Sequence, residues 1–315
     1  MRWVALRIKA VIFWLSALAG VVMFLLRGKR PKPGIVILCY HRIAEDLPPE
    51  SPHDPYNVSP KQFARQLDAL QALSRVKVAS LQNLAEWVKT ARTPEGSYVL
   101  ITFDDGYQNN LAAANQMQSR GVPGVFFLST AYIDGPIFEC NLYDKWCQQL
   151  PGSNPHWYRP LTWEDCRTLL GLGMDLQPHG HWHRVVGHLG QKDMEEEILL
   201  SKRAVEDVLG CEVKAFAYPG GSSYLNHFNA GVEEFLSQTG FAFALSTDAG
   251  TNPPGWIKEN AYHLRRLPVH EHDEGLFFQA KIAGYSGPLP ALKLVAHRLR
   301  TRFAAHHVAA SQPVE

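Results

Sequence analysis

Thr102-Phe103-Asp104-Asp105-Gly106 ends an apolar run, Val99-Leu100-Ile101, on two adjacent carboxylates, a glycine and Tyr107. Neighbouring side chains on a strand point to opposite faces, so both acids reach one site only where the strand stops and its backbone turns. Gly106 permits that turn. Two carboxylates this close resist ionising together unless a cation sits between them or each has a different task. The stretch therefore predicts a strand end that carries a cation site.

The same alternation repeats outward from this strand. Short apolar strands are expected at residues 35–38, 76–79, 98–105, 125–128, 174–177, 213–218, 241–246 and 263–269. Helices are expected between most of them, over residues 60–73 behind the cap Ser59 and over 81–89, 108–120, 162–172, 192–209 and 232–239. Repeated βα units give an α/β fold with a mainly parallel sheet, either a barrel or an open doubly wound sheet. Residues 134–160 interrupt the pattern as a long insertion rich in Trp, Tyr and Pro.

The 315 residues suffice for a sizeable core, and 31 basic against 30 acidic residues leave a net charge of +1, which gives no sign of a nucleic-acid partner. Five cysteines without a CxxC pair are too sparse for a disulfide framework and are expected as free thiols, with Cys140 and Cys147 the one pair close enough in sequence to bridge. Residues 10–26 carry no charge and are flanked by Arg2, Arg7 and Lys9 on one side and Arg27, Lys29, Arg30 and Lys32 on the other. That pattern predicts an uncleaved signal anchor, a single transmembrane helix in the bacterial inner membrane, with basic flanks too evenly matched to fix its orientation. The expected organisation is an anchor and linker at 1–33, a catalytic domain at 34–287 and a tail at 288–315. In that tail Lys293, Arg298, Arg300 and Arg302 alternate with apolar residues, suiting either a solvated helix or one lying on lipid.

The chemistry-bearing residues fall at the C-terminal ends of expected strands, the edge where βα folds collect their ligands. Asp104 and Asp105 end one strand, His179 and His183 follow another, Tyr218-Pro219-Gly220-Gly221 end a third and Thr247-Asp248 a fourth. His179 and His183, four apart, would share one face of a helical turn and reach one metal ion, with His181 pointing away and His188 in reserve. Two imidazoles and one carboxylate leave coordination positions open, as a catalytic zinc site requires; cobalt, nickel or iron would fit the same ligands. Trp146, Trp157, Trp163 and Trp182 are candidate faces for stacking on a sugar.

In order, ILCYHRI at 37–43, TFDDG at 102–106, the two histidines, FAYPGG at 216–221 and LRRLPV at 264–269 resemble the polysaccharide deacetylases of carbohydrate esterase family 4, the NodB homology domain. The resemblance spans residues 35–287. It implies a distorted (β/α) barrel of about seven to eight strands and metal-dependent removal of N-acetyl groups from amino sugars of a surface polysaccharide or lipid-linked glycan. In that pattern Asp105 joins His179 and His183 on the metal, Asp104 is the general base, and a late histidine, here His270 with His263 and His272 as rivals, is the general acid. The turn Tyr218, Pro219 and Gly220 and, on the first strand, His41 would contact substrate. Two departures stand out. Gly180 replaces the usual Ser or Thr, and Ala217 replaces an arginine that holds the catalytic aspartate, a task that would pass to Arg265 or Arg266. These losses keep open a catalytically silent glycan-binding protein, and the chemistry also suits a deformylase or cyclic-amide hydrolase.

Overall fold

The computed structural model describes residues 2–45, 56–91, 95–135 and 155–287, with side chains from residue 14 onward. The strands are β1 (Gly34–Tyr40), β2 (Arg42–Ile43), β3 (Asn57–Val58), β4 (Val76–Val78), β5 (Ser97–Phe103), β6 (Val125–Leu128), β7 (Asp175–Pro178), β8 (Ala215–Ala217), β9 (Phe243–Ala249) and β10 (Leu264–Pro268). The α-helices, in chain order, are α1 (Arg2–Leu26), α2 (Pro60–Ala72), α3 (Leu81–Thr90), α4 (Asn110–Gln118), α5 (Trp163–Gly171), α6 (Gln191–Leu209), α7 (Ala230–Gln238), α8 (Trp256–Glu259) and α9 (Gly275–Ile282). Every strand pairing is parallel, in the order β7-β6-β5-β1-β10-β9-β8, with β4 beside β5 and β2 paired to β3 apart from the rest. The seven strands of the main path bend into a near-closed barrel.

Two-residue periodicity divides the side chains into layers. Ile35, Ile37, Leu100, Phe127, Leu245 and Leu264 fill the interior, while Val36, Leu38, Val99, Ile101, Phe126 and Ala244 face the helices. Between β7 and β8 no ladder forms, and one side chain bridges the seam. Gln177 Oε1 accepts from the N–H groups of Lys214 and Ala215, both at 2.8 Å, and its Nε2 donates to Glu212 O at 3.2 Å. Those backbone donors would otherwise be stranded next to the core.

All eight expected strands occur, and the cap at Ser59 is present, its side chain accepting from the Gln62 N–H. The pair β2–β3 and the helices α8 and α9 are additions. Cys39, Cys166 and Cys211 are free thiols, whereas the Cys140–Cys147 pairing, most of the Trp-rich insertion and the tail beyond residue 287 lie outside the described residues.

The structure does not show α1 as a transmembrane helix. No helix, among the described residues, is long and apolar enough to cross a membrane. The C-terminal half of α1 packs against the domain. Val21 and Phe24 are buried with Ala280, Ala283 and Tyr285, and a Cβ on Gly20 would sit 2.2 Å from the Tyr285 carbonyl, so glycine there permits the close approach. Leu15, Leu18, Val22, Met23 and Leu26 remain exposed on this helix.

Candidate active site

Register sets the site. Continuing each interior row toward the C-terminal edge, Ile35 and Ile37 lead to Cys39, Leu100 to Thr102 and Asp104, and Leu264 to Arg266. These rows converge because β5 and β10 flank β1. Arg266, fully buried, gives both ends of its guanidinium to Asp104, Nη1 to Oδ1 at 2.6 Å and Nη2 to Oδ2 at 2.7 Å. It is itself held by the Ser246 carbonyl (2.9 Å) and the Thr102 hydroxyl (3.3 Å). Arg265 points elsewhere, its guanidinium 3.4 Å from the Trp256 ring centre. Of the two arginines, only Arg266 touches Asp104, and it reaches from β10 what the family pattern supplies from position 217.

Asp105 takes a different environment because the backbone turns. Its φ of 78°, and that of His183 at 57°, lie in the left-handed region, where Asp and His are among the few side chains tolerated and where functional sites store strain. Asp105 Oδ1 lies 3.5 Å from His179 Nε2 and 3.3 Å from His183 Nε2. These separations are long for a charge-assisted hydrogen bond, which runs about 2.7–2.9 Å. They match the roughly 3.3 Å between neighbouring ligand atoms of a tetrahedral ion with bonds near 2.0–2.1 Å. His179 Nδ1 lies 2.8 Å from the Ala217 carbonyl, a bond that puts the proton on Nδ1 and leaves Nε2 as the donor lone pair. The three side chains therefore fit a divalent metal with open positions.

The histidine pair does not use the helical turn expected for it. Residues 179–183 form an irregular loop that bends at Gly180, whose φ is 81°. A Cβ at Gly180 would lie 2.6 Å from the Oε1 of Glu197, the buried carboxylate that also binds Arg184 Nε at 2.8 Å. Glycine at this position thus admits the carboxylate that holds the loop. His181 turns away onto the Thr130 hydroxyl (2.8 Å), and His188 onto the Leu225 carbonyl (2.9 Å).

A cavity of about 480 Å³ lies over these groups, lined also by Cys39, His41, Arg42, Tyr56, Tyr107, Gly220, Thr247, Pro268 and His270. His270 stands half-buried on its rim, its ring stacked on that of His272 (5.5 Å, 12°). His263 is directed to Asp248 Oδ2 at 2.7 Å, and His272 lines a neighbouring cavity with Trp14. Tyr218 is buried with its hydroxyl on the Tyr262 carbonyl, and its N–H is spent on Leu245 O at 3.1 Å. Pro219 has no N–H, so Gly220 is the member of this turn that both lines the cavity and carries a donor. None of the described tryptophans lines it.

Sequence reasoning missed Cys39 and Arg42. Cys39 Sγ donates to Asp104 Oδ2 at 3.4 Å, and Arg42 donates to the Tyr107 hydroxyl at 2.9 Å between the rings of Tyr107 and Tyr158. Their signal was the strand-end run Cys39-Tyr40-His41-Arg42. Cys39, His41 and Asp104 also form a cluster of potential metal ligands. Arg266 argues against that use, because its guanidinium occupies both Asp104 oxygens and would repel a cation beside them. Burial alone would raise the Asp104 pKa; the Arg266 guanidinium and then His179 overcome it and bring the value down to about 2. Burial opposes ionisation of Asp105 too, and the bonds from His179 and His183 hold it well below the usual carboxylate value.

Residues 91–244 match the family model for polysaccharide deacetylases. Those residues carry a polysaccharide deacetylase domain. Solved structures agree with the deacetylase domain in fold. IcaB from Ammonifex degensii is 21% identical with a TM-score of 0.60, covering 81% of this chain and 98% of its own. The deacetylase PplD from Streptococcus pyogenes is 18% identical at 0.62, covering 78% and 95%. A de-N-acetylase from Aggregatibacter actinomycetemcomitans is 16% identical at 0.59, covering 78% and 99%. No curated protein matches the chain in sequence.

Proposed function

We propose that the protein is a metal-dependent carbohydrate N-deacetylase acting on an amino-sugar glycan, either a surface polysaccharide or its lipid-linked precursor. The observation that carries the reading is the division of one aspartate pair, Asp104 to a guanidinium and Asp105 to two imidazoles. Asp105, His179 and His183 would hold the metal, with zinc favoured by the donor set. A divalent ion there supplies Lewis acidity, polarising the acyl oxygen and acidifying water. Asp104 accepts the proton of the attacking water. Its pKa of about 2 keeps Asp104 ionised at any working pH, while the Arg266 charge that lowers it also makes the carboxylate a weak base. Gly220, which lines the cavity, would supply its N–H to the developing oxyanion. As the C–N bond breaks, His270 on the cavity rim gives its proton to the leaving amine, and acetate and a free amino sugar result.

The same reading places the enzyme at the bacterial inner membrane. Exposed Leu15, Leu18, Val22, Met23 and Leu26 on α1, followed by Arg27, Lys29 and Arg30, make up a face suited to an anionic lipid surface.

Acetate release from an N-acetylglucosamine oligomer tests the chemistry. Chelation should abolish it and zinc restore it, while Asp105→Asn or His183→Ala should lose both the bound metal and at least 10²-fold in rate. Release that persists at full rate after complete metal removal would sink the proposal.

A further inference from the structure

A second cavity, of about 170 Å³, adjoins the catalytic one. Its walls include Trp14 and Ala17 of α1, Leu267 at the end of β10, Phe277 of α9 and Tyr285. Trp14 meets Phe277 edge-on, ring centres 5.6 Å apart. The nearby charges are engaged with one another, Lys281 Nζ binding both the Asp273 carboxylate and the Pro268 carbonyl. Ser16, His270, His272 and Ser286 also line the cavity, but most of its surface is apolar and suits a hydrocarbon. An apolar cavity of roughly 150 Å³ stays dry and takes up a small hydrocarbon, whereas complete ligand pockets run about 300–1,000 Å³. The space therefore suits one arm of a larger molecule.

Pro268 and His270 line both cavities. One ligand crossing these two residues would have its polar end over Asp104, Asp105, His179 and His183 and its other end among apolar side chains. We infer that the second cavity binds the lipid aglycone of the substrate, so that the enzyme acts on a lipid-linked amino sugar rather than on the interior of a free polymer. The inference rests on the deacetylase reading above. It also gives α1 a task, since this helix forms one wall of the cavity and carries exposed leucines elsewhere on its surface.

The test uses the full chain held in an amphipathic polymer, because detergent tails would compete, and a series of N-acetylglucosamine β-glycosides from methyl to octyl. Each methylene that enters the cavity should lower KM by about fourfold. The octyl glycoside should therefore exceed the methyl glycoside in kcat/KM by at least 30-fold, with kcat little changed. In Ala17→Phe, and less fully in the milder Ala17→Leu, the octyl-to-methyl ratio should fall toward one. Calorimetry on Asp104→Asn measures binding apart from turnover and should show the octyl glycoside at least tenfold tighter. Equal kcat/KM and equal affinity for the two glycosides, or an undiminished ratio in both Ala17 variants, would overturn the assignment. Tight octyl binding that is lost in Ala17→Phe, with no acetate released by the native protein, would sustain the cavity and defeat the deacetylase reading.

Discussion

At the scale of residues, the site turns on the buried pair of Asp104 and Arg266, each nearly sealed from water. Removing one partner of such a pair strands the other charge in a low dielectric, so Arg266→Met should cost roughly 3–5 kcal/mol in urea unfolding of the chelated protein. Arg266→Lys should recover only part of this, since an ammonium cannot engage both oxygens. The folded pKa of Asp104, about 2, lies below its ordinary 3.8. Its pairing therefore stabilises the fold above pH ~4, and the contribution fades as the pH falls toward 2. Melting temperatures of the metal-free protein should drop more steeply over that range than those of Asp104→Asn; parallel slopes would remove the pair from this role.

At the scale of elements, the seam between β7 and β8 joins fold and chemistry. β7 delivers His179, and β8 supplies the Ala217 carbonyl that orients it. Gln177→Leu would leave the Lys214 and Ala215 N–H groups without their acceptor, which should destabilise the protein by about 2–4 kcal/mol and weaken zinc binding in the same variant. An unchanged zinc affinity would show the seam to be structural only. Much at this scale was legible beforehand, because strand and helix periods and the cap at Ser59 are local signals. The path between His179 and His183 was not. Spacing four apart suggests a helical turn, and only the buried Glu197, far along the chain, explains why the backbone bends at Gly180 instead. Choosing Arg266 over Arg265 likewise needed to know that Leu264 faces the barrel interior. The alternation of Leu264, Arg265, Arg266 and Leu267 is equally consistent with either facing.

At the scale of the whole molecule, the barrel follows from repeated βα units, but the contacts that complete it join segments far apart in sequence. The apolar run at 10–26 reads as an anchor because its length and flanks are local, whereas its seat against α9 and Tyr285 is visible only in three dimensions. The glycine at position 20, which costs a free-standing helix about 1 kcal/mol relative to alanine, is a local trace of that seat. Function is a property of this scale as well, since β1, β5, β7 and β10 must all close before the two aspartates have different partners. Metal that binds only the folded state raises the melting temperature by mass action, so the same titration reports ligation and folding together. The decisive measurement is the zinc-induced melting shift of Asp104→Asn beside its acetate release. We expect the shift to match the native protein while release falls by at least 10³-fold; loss of the zinc shift in Asp104→Asn would show that the roles assigned to the two aspartates are wrong.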